Sequence, residues 1–397
     1  MPLKVLIAPD KFKGTLTAQA AAEAIASGWR RARPRDHIAM LPATDGGDGF
    51  GEVMGDLLSC SIQKVRTEDA AHRTCLAQWW WEPKTRTAIL ESANTIGLAQ
   101  LPKGRFHPFE LGTFGLGAVI EAAAAKGALR CLIGIGGSAT NDGGFGLARS
   151  LGWKFLTHDG AIIERWTDLD RLNELKAPRT HRWFKNITVA VDVANPLLGV
   201  KGATRVYGPQ KGMRTKDFGR AERCLRRLAF AARTQFGQDF ASEPGAGAAG
   251  GLGFGLRVFC GAKLVPGFDL FARQVKLDRH LCAANVVITG EGAIDDSTLM
   301  GKGAGEIARR CRKLGIPCIA LAGVVKAKAA HRRLFAKTYA LTDLTTARHA
   351  KANPRRWLKL LAQKAARLHA FEHSPKNVGH LGLRRQIPPR REATALS

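Results

Sequence analysis

No C-x-x-C pair occurs among the eight cysteines, which lie far apart, so neither a zinc site nor a disulfide framework is indicated. No apolar run reaches the ~18 residues of a membrane span. The opening "MPLKVLIAPD" carries one lysine and a short apolar run broken by Pro9 and Asp10. That pattern reads as a core strand rather than a signal peptide, and the expectation is a soluble cytoplasmic protein without a membrane partner. No G-x-x-x-x-G-K-[ST] is present, which excludes an ordinary P-loop. Acidic residues are scarce, with 33 Asp and Glu against 61 Lys and Arg, a formal net charge of +28. Half of that excess lies between Val325 and Ser397, where 17 basic residues face three acids. These basic residues lack interleaved aromatics and no nucleic-acid motif accompanies them. A solvated basic tail is therefore expected, not a nucleic-acid partner, and a positive surface also suits a polyanionic small molecule.

The 397 residues, 45% of them apolar, can bury a large core in two or three domains. Strands and helices alternate. Lys4–Ala8 and His37–Leu41 read as strands, with a helix between them from Thr17, a plausible N-cap, to Arg31. Phe50–Leu58 reads as a second helix. Ile62–Glu91 instead shows short alternating β runs and the triplet Trp79–Trp81, which cannot face one side of a strand; at least one tryptophan is expected at a domain interface. Helix returns at Phe114–Lys126, followed by a strand at Cys131–Ile133, a helix at Phe145–Leu151 and a strand at Ile187–Val193. A basic helix of about 20 residues is expected from Thr215. Asn285–Asp295 and Pro317–Gly323 are further buried strands flanking a helix at Gly303–Leu314. Apolar strands alternating with helices imply an α/β fold with a mostly parallel sheet covered on both faces.

Several strands end in the same polar material. The first leads to Asp10, Lys11 and Lys13, the second to Asp45, Gly46, Gly47 and Asp48. The strand Cys131–Ile133 leads to Gly136, Gly137, Ser138, Thr140, Asn141 and Asp142; Ile187–Val191 leads to Asp192; Val286–Thr289 leads to Gly290, Glu291 and Asp295. Ligands of open α/β sheets bind outside the carboxyl ends of the strands. Glycines let backbone N–H groups approach an anion. Carboxylates beside phosphate oxygens require an intervening hard cation such as Mg2+, or a proton to accept, and lysines neutralise a transferring phosphoryl group. Together these point to phosphoryl transfer from a nucleotide. The stretch Gly134, Gly136, Ala139 also matches the loose dinucleotide pattern G-x-G-x-x-A, but the acid 20 residues further on, Asp159, sits in the turn "THDGA" rather than after a second strand.

The segments "IAPDKFKGTLTA", "LPATDGGDG", "GIGGSATNDGG", "VAVDVANPLLG", "YGPQKG", "PGAGAAGGLGFGL" and "VITGEGAIDDSTLMGK" follow one another from residue 3 to about 323. In that order they resemble the successive motifs of the type-1 glycerate kinases. The resemblance implies ATP-dependent, Mg2+-assisted phosphorylation of D-glycerate, with transfer to the 2-hydroxyl; a glycerate 3-kinase, or a kinase of another small hydroxy acid on the same scaffold, is the alternative. It also implies two α/β domains, one Rossmann- or flavodoxin-like with a mostly parallel sheet and one mixed, with the active site in the cleft between them, in a monomer or homodimer. We expect residues 1–60, 112–190 and 283–370 in the first domain, 61–111 and 191–282 in the second, and 371–397 as a disordered basic tail. Two departures stand out: Asp48 takes the place of a glutamate in the family's "DGGEG", and a basic "VVKAKAAHRR" follows the strand near residue 320 where the family has a small Gly/Asp loop.

On this reading Gly136, Gly137, Ser138 and Thr140 contact phosphate or glycerate oxygens, or else form a tight strand–helix turn. Asn141 and Asp142 start the next helix; Asp142 caps it or orients the glycerate hydroxyl. Asp192 is the preferred catalytic base or metal ligand, with an Asx turn before Asn195-Pro196 as the alternative. Glu291 and Asp295 are the metal candidates, and Lys302 follows them toward the phosphates. Lys11, Lys13 and Lys211 fit a phosphate or the glycerate carboxylate, while Asp10, Asp45, Gly46 and Gly47 join the binding set. The run Gly245–Gly253, including Gly250 and Gly251, is a phosphate-binding or hinge loop, or a site of close helix packing. Which motif meets ATP and which meets glycerate stays open. Domain closure would exclude water from the transfer.

Overall fold

The computed structural model describes residues 1–179, 182–299, 303–326 and 334–372. Lys302, most of the basic segment after Val325 and nearly all of the expected tail lie outside the described residues. Thirteen strands are described: β1 (Lys4–Ile7), β2 (His37–Met40), β3 (Ser61–Glu68), β4 (Thr74–Glu82), β5 (Thr87–Glu91), β6 (Arg130–Gly134), β7 (Lys154–Leu156), β8 (Glu174–Lys176), β9 (Asn186–Val191), β10 (Lys263–Pro266), β11 (Val286–Ile294), β12 (Cys318–Val325) and β13 (Lys337–Ala340).

They form a five-stranded sheet in the order β13-β12-β11-β1-β2, a six-stranded sheet in the order β10-β9-β6-β5-β4-β3, and the hairpin β7-β8. Every pairing in the first sheet is parallel. In the second, β5, β6, β9 and β10 are parallel, and β3 and β4 add an antiparallel edge. The α/β class and the pair of one parallel and one mixed sheet agree with the sequence. The grouping of 112–190 with the first unit does not survive for its strands. β6 pairs with β5 on one side and β9 on the other, so both strands belong to the six-stranded sheet. The helix Leu116–Ala125 makes the crossover that parallel β5 and β6 require.

In the first sheet the chain leaves β1 toward β2 on one side, and returns much later to β11, β12 and β13 on the other. The carboxyl ends of β1 and β11 therefore flank the point where strand order reverses, the crevice in which open parallel sheets bind ligands. The helices Ala18–Ala32 and Pro354–Glu372 pack on each other over one face of this sheet, around Trp29, Leu358 and Leu361.

The tryptophan triplet shows how the two sheets are joined. Successive side chains of β4 point to opposite faces, and Trp79 and Trp80 are both buried, in separate clusters. Trp80 lies on the helix Phe50–Leu57. A Cβ on either Gly51 or Gly55 of that helix would overlap its indole ring, so two glycines one turn apart cut the groove that receives it. Trp81 is half-buried against the Trp79 cluster. The helix after β2 is thus fastened to the second sheet, and the loop before it bridges the two.

Candidate active site

Three neighbouring strand ends of the first sheet converge. β1 continues into Asp10, whose N–H donates to the Gly290 carbonyl at 2.8 Å as β11 runs on to Glu291. On the other side Ala43 N–H donates to the Pro9 carbonyl at 2.8 Å, which carries the chain from β2 to Asp45. Parallel pairing in register therefore brings Asp45, Asp10 and Glu291 to one edge. Asp10 and Glu291 are buried. Burial, followed by the negative charge of Asp45, pushes the Asp10 carboxyl up to about 8; Lys11 pulls it down and Glu291 adds to the rise. Asp10 Oδ1 accepts from the Lys11 N–H at 2.7 Å, and the Lys11 ammonium reaches across to the Asp48 carbonyl at 2.8 Å. Lys13 is exposed nearby.

Asp10, Lys11, Lys13 and Asp48 line one end of a cavity of about 380 Å³. Its other walls come from residues 14–19, from Pro42–Thr44, and from Glu52, Val53, Asp56 and Leu57 of the helix Phe50–Leu57. The carboxylates that could hold a cation supply oxygen donors, as a hard divalent ion requires. Among the described residues no three His, Cys, Asp or Glu side chains are grouped to hold one ion. A Mg2+ held by one or two carboxylates, waters and substrate phosphates is compatible with that set. Glu291 Oε1 accepts from the Thr298 hydroxyl at 2.8 Å, and the same hydroxyl accepts from Asp295 N–H at 3.2 Å. Thr298 thus links the two predicted metal ligands; Asp295 is only half-buried.

The loop Thr44–Gly49 passes onto the six-stranded sheet. Gly136 N–H donates to the Gly46 carbonyl at 3.3 Å, and a Cβ on Gly136 would lie 2.5 Å from Gly47 Cα. A Cβ on Gly137 would overlap the Asp48 carboxylate. These glycines let the two motifs pack backbone to backbone, which accounts for them without a ligand. Glu91, at the end of β5, accepts from Gly49 N–H at 2.8 Å and from Gly51 N–H at 2.9 Å. It therefore satisfies the start of the helix Phe50–Leu57 from another sheet. Burial raises its carboxyl above the usual range. Sequence reasoning assigned Glu91 no role, although, like Asp10, it is an acid at the end of a buried strand.

A second cluster joins three loops. The Lys211 ammonium is buried, donating to the Thr140 carbonyl at 2.7 Å and to the Ser138 hydroxyl at 3.2 Å. Burial lowers its pKa to about 7, with Asp142 acting in the opposite direction. Ser138 donates to the Ala249 carbonyl, and Asn141 Nδ2 to the Thr204 hydroxyl, both at 3.0 Å. Gly143 N–H donates to the Gly250 carbonyl at 3.1 Å. Ala249, Gly250 and Gly251 adopt left-handed backbone conformations, and a Cβ on Gly250 would strike the Thr140 carbonyl. Close packing is what the Gly250 and Gly251 geometry describes.

Asp142 is fully buried. Its carboxylate accepts from the Thr113 N–H and hydroxyl and from the Gly144 and Gly146 N–H groups, at 2.7–3.1 Å. Of its two expected roles, capping the helix Phe145–Ser150 is the one its bonds describe. Asp192 follows β9 and is exposed, with its charge felt by the Tyr207 hydroxyl. Asp159 lies in a turn closed by the Thr157 N–H to the Ala161 carbonyl, away from any strand end of the large sheets.

A model described as the glycerate kinase family matches residues 5–370. A glycerate kinase of Halalkalibacterium halodurans is 38% identical over 323 residues, covering 80% of this chain and 85% of that protein. The glycerate 2-kinase of Escherichia coli K12 is 35% identical over 324 residues, covering 81% and 85%. A crystal structure of a protein assigned as glycerate kinase 2 from Salmonella typhimurium LT2 superposes with a TM-score of 0.79 at 32% identity, covering 94% of this chain and all of that one. No described helix is long and apolar enough to cross a membrane.

Proposed function

The chain belongs to the glycerate kinase family, a family of kinases acting on a small molecule, and we propose that it transfers the terminal phosphoryl group of ATP to the 2-hydroxyl of D-glycerate, giving 2-phosphoglycerate and ADP. The substrate oxygen forms the new bond to the γ-phosphorus, the bond from that phosphorus to the β–γ bridging oxygen breaks, and the hydroxyl proton passes to the protein. The observation that carries this reading is the meeting of Asp10, Asp45 and Glu291 at three adjacent strand ends, beside Lys11.

Lys11 and Lys13 supply positive charge to the transferring group. Asp10 takes the proton: its burial, the largest cause of its raised pKa, makes it more basic than an exposed carboxylate. Asp192, the base preferred from sequence, is then assigned a lesser part at the rim of the other sheet. Glu291 and Asp45 would hold Mg2+, which when bound screens the charge between donor phosphates and these carboxylates. The loops knotted around Lys211 hold Ser138 and Thr140 of the turn that packs on Gly46–Asp48.

An assay coupling ADP release to a panel of hydroxy acids and sugars tests the substrate, and NMR of the product tests the position. Turnover of D-glycerate with 2-phosphoglycerate as product is expected. Turnover of another acceptor but not D-glycerate overturns the substrate, and 3-phosphoglycerate overturns the position.

A further inference from the structure

The cavity beside Asp10 has two chemically different ends. A three-carbon acid fills little of its volume of about 380 Å³, which lies in the range of about 300–1,000 Å³ found for pockets holding drug-sized ligands. At one end stand Asp10, Lys11 and Lys13. The Lys11 ammonium meets the Asp48 carbonyl just before the helix Phe50–Leu57, and further along that helix Val53 and Leu57 give apolar lining beside Glu52 and Asp56, two exposed carboxylates one helical turn apart. Two like charges at that spacing repel each other and any phosphate placed against them. They accept hydrogen bonds and donate none when ionised. The apolar end therefore suits a flat, uncharged body carrying hydroxyl or amino donors, and the lysine end suits its anionic tail.

We propose that this cavity takes the nucleoside half of the phosphoryl donor. The base lies against Val53 and Leu57, the ribose hydroxyls donate to Glu52 and Asp56, and the polyphosphate runs to Lys11 and Lys13. Glycerate then approaches Asp10 from the side of Gly47 and Gly136. This rests on the reading of the protein as a nucleotide-dependent kinase and adds where the nucleotide sits.

Two variants of the full chain test it, each checked for folding by its thermal midpoint. Leu57→Trp fills the apolar end, and the double variant Glu52→Gln, Asp56→Asn alters only exposed side chains. Leu57→Trp is expected to raise the ATP KM by blocking the base, and the double variant to raise it about 10-fold by removing charge-assisted hydrogen bonds; both should leave the D-glycerate KM within about two-fold. The unaltered protein should also discriminate against 2′-deoxyATP, and the double variant should lose that discrimination. An unchanged ATP KM in the double variant, or a rise in the D-glycerate KM instead, overturns the proposal while leaving the kinase reading intact. If the unaltered protein fails to turn over D-glycerate, calorimetric binding of ADP decides: binding weakened by the double variant supports the pocket, and equal or absent binding overturns it.

Discussion

Lys211 donates its ammonium to the Thr140 carbonyl at 2.7 Å from a position almost closed to solvent. Taking a charged amine into that environment is costly, and the cost appears as a pKa of about 7 in place of the ordinary 10.5 of a lysine. The folded pKa is depressed, so between about 7 and 10.5 the unfolded chain binds more protons, and stability rises with pH across that window. Below pH 7 both states carry the proton and the penalty is complete. Urea unfolding at several pH values should show a slope of up to about 1.4 kcal/mol per pH unit between pH 8 and 10 from this group. Lys211→Met should remove that component. Equal slopes in the two proteins would mean that the ammonium is not buried in solution.

Glu91→Ala strips the acceptor from two amides at the start of the helix Phe50–Leu57. Leaving them unpaired should cost about 1–3 kcal/mol, read from the denaturant midpoint. Because that helix carries Glu52, Val53, Asp56 and Leu57 into the cavity, the ATP KM should rise as well. A loss of stability with unchanged KM would show that the helix keeps its place without Glu91.

Gly55→Leu should be destabilising by about 1–3 kcal/mol, the usual range for overpacking, since the Trp80 ring occupies the space its side chain would enter. Trp80→Ala in the same chain should restore part of the loss, as residues in contact couple in a double-mutant cycle. Additive effects would place the two side chains apart.

The acids Asp10, Asp45 and Glu291 were legible because each lies within a few residues of the carboxyl end of its strand, and parallel register does the rest. The sheet to which a strand belongs was not legible. β6 and β9 are as apolar as β1 and β11, and nothing in their residues says that β6 pairs with β5 rather than β1. Asp142 fits two roles in sequence, helix cap or orienter of the glycerate hydroxyl, because either kind of group stands just before a helix; only its bonds to the Gly144 and Gly146 amides separate them. Glu91 stayed hidden because its partners, Gly49 and Gly51, lie 40 or more residues earlier, beyond the reach of any local pattern.

Asp10 and Asp192 make opposite predictions as proton acceptors. A base must be ionised to act, so kcat/KM should rise with pH through the ionisation of the group that serves. Asp10→Asn keeps the shape and removes the basicity; it should lower kcat by about 10²–10⁴-fold, the range for a general base, and abolish the rising limb of the profile. Asp192→Asn alters an exposed side chain and should retain the limb, with kcat within about 10-fold, below that range. The reverse pattern would return the base to the end of β9, and would mean that the burial of Asp10 serves to hold a cation rather than a proton. Both profiles come from one coupled assay at saturating ATP, so the two carboxylates are compared under the same rate-limiting step.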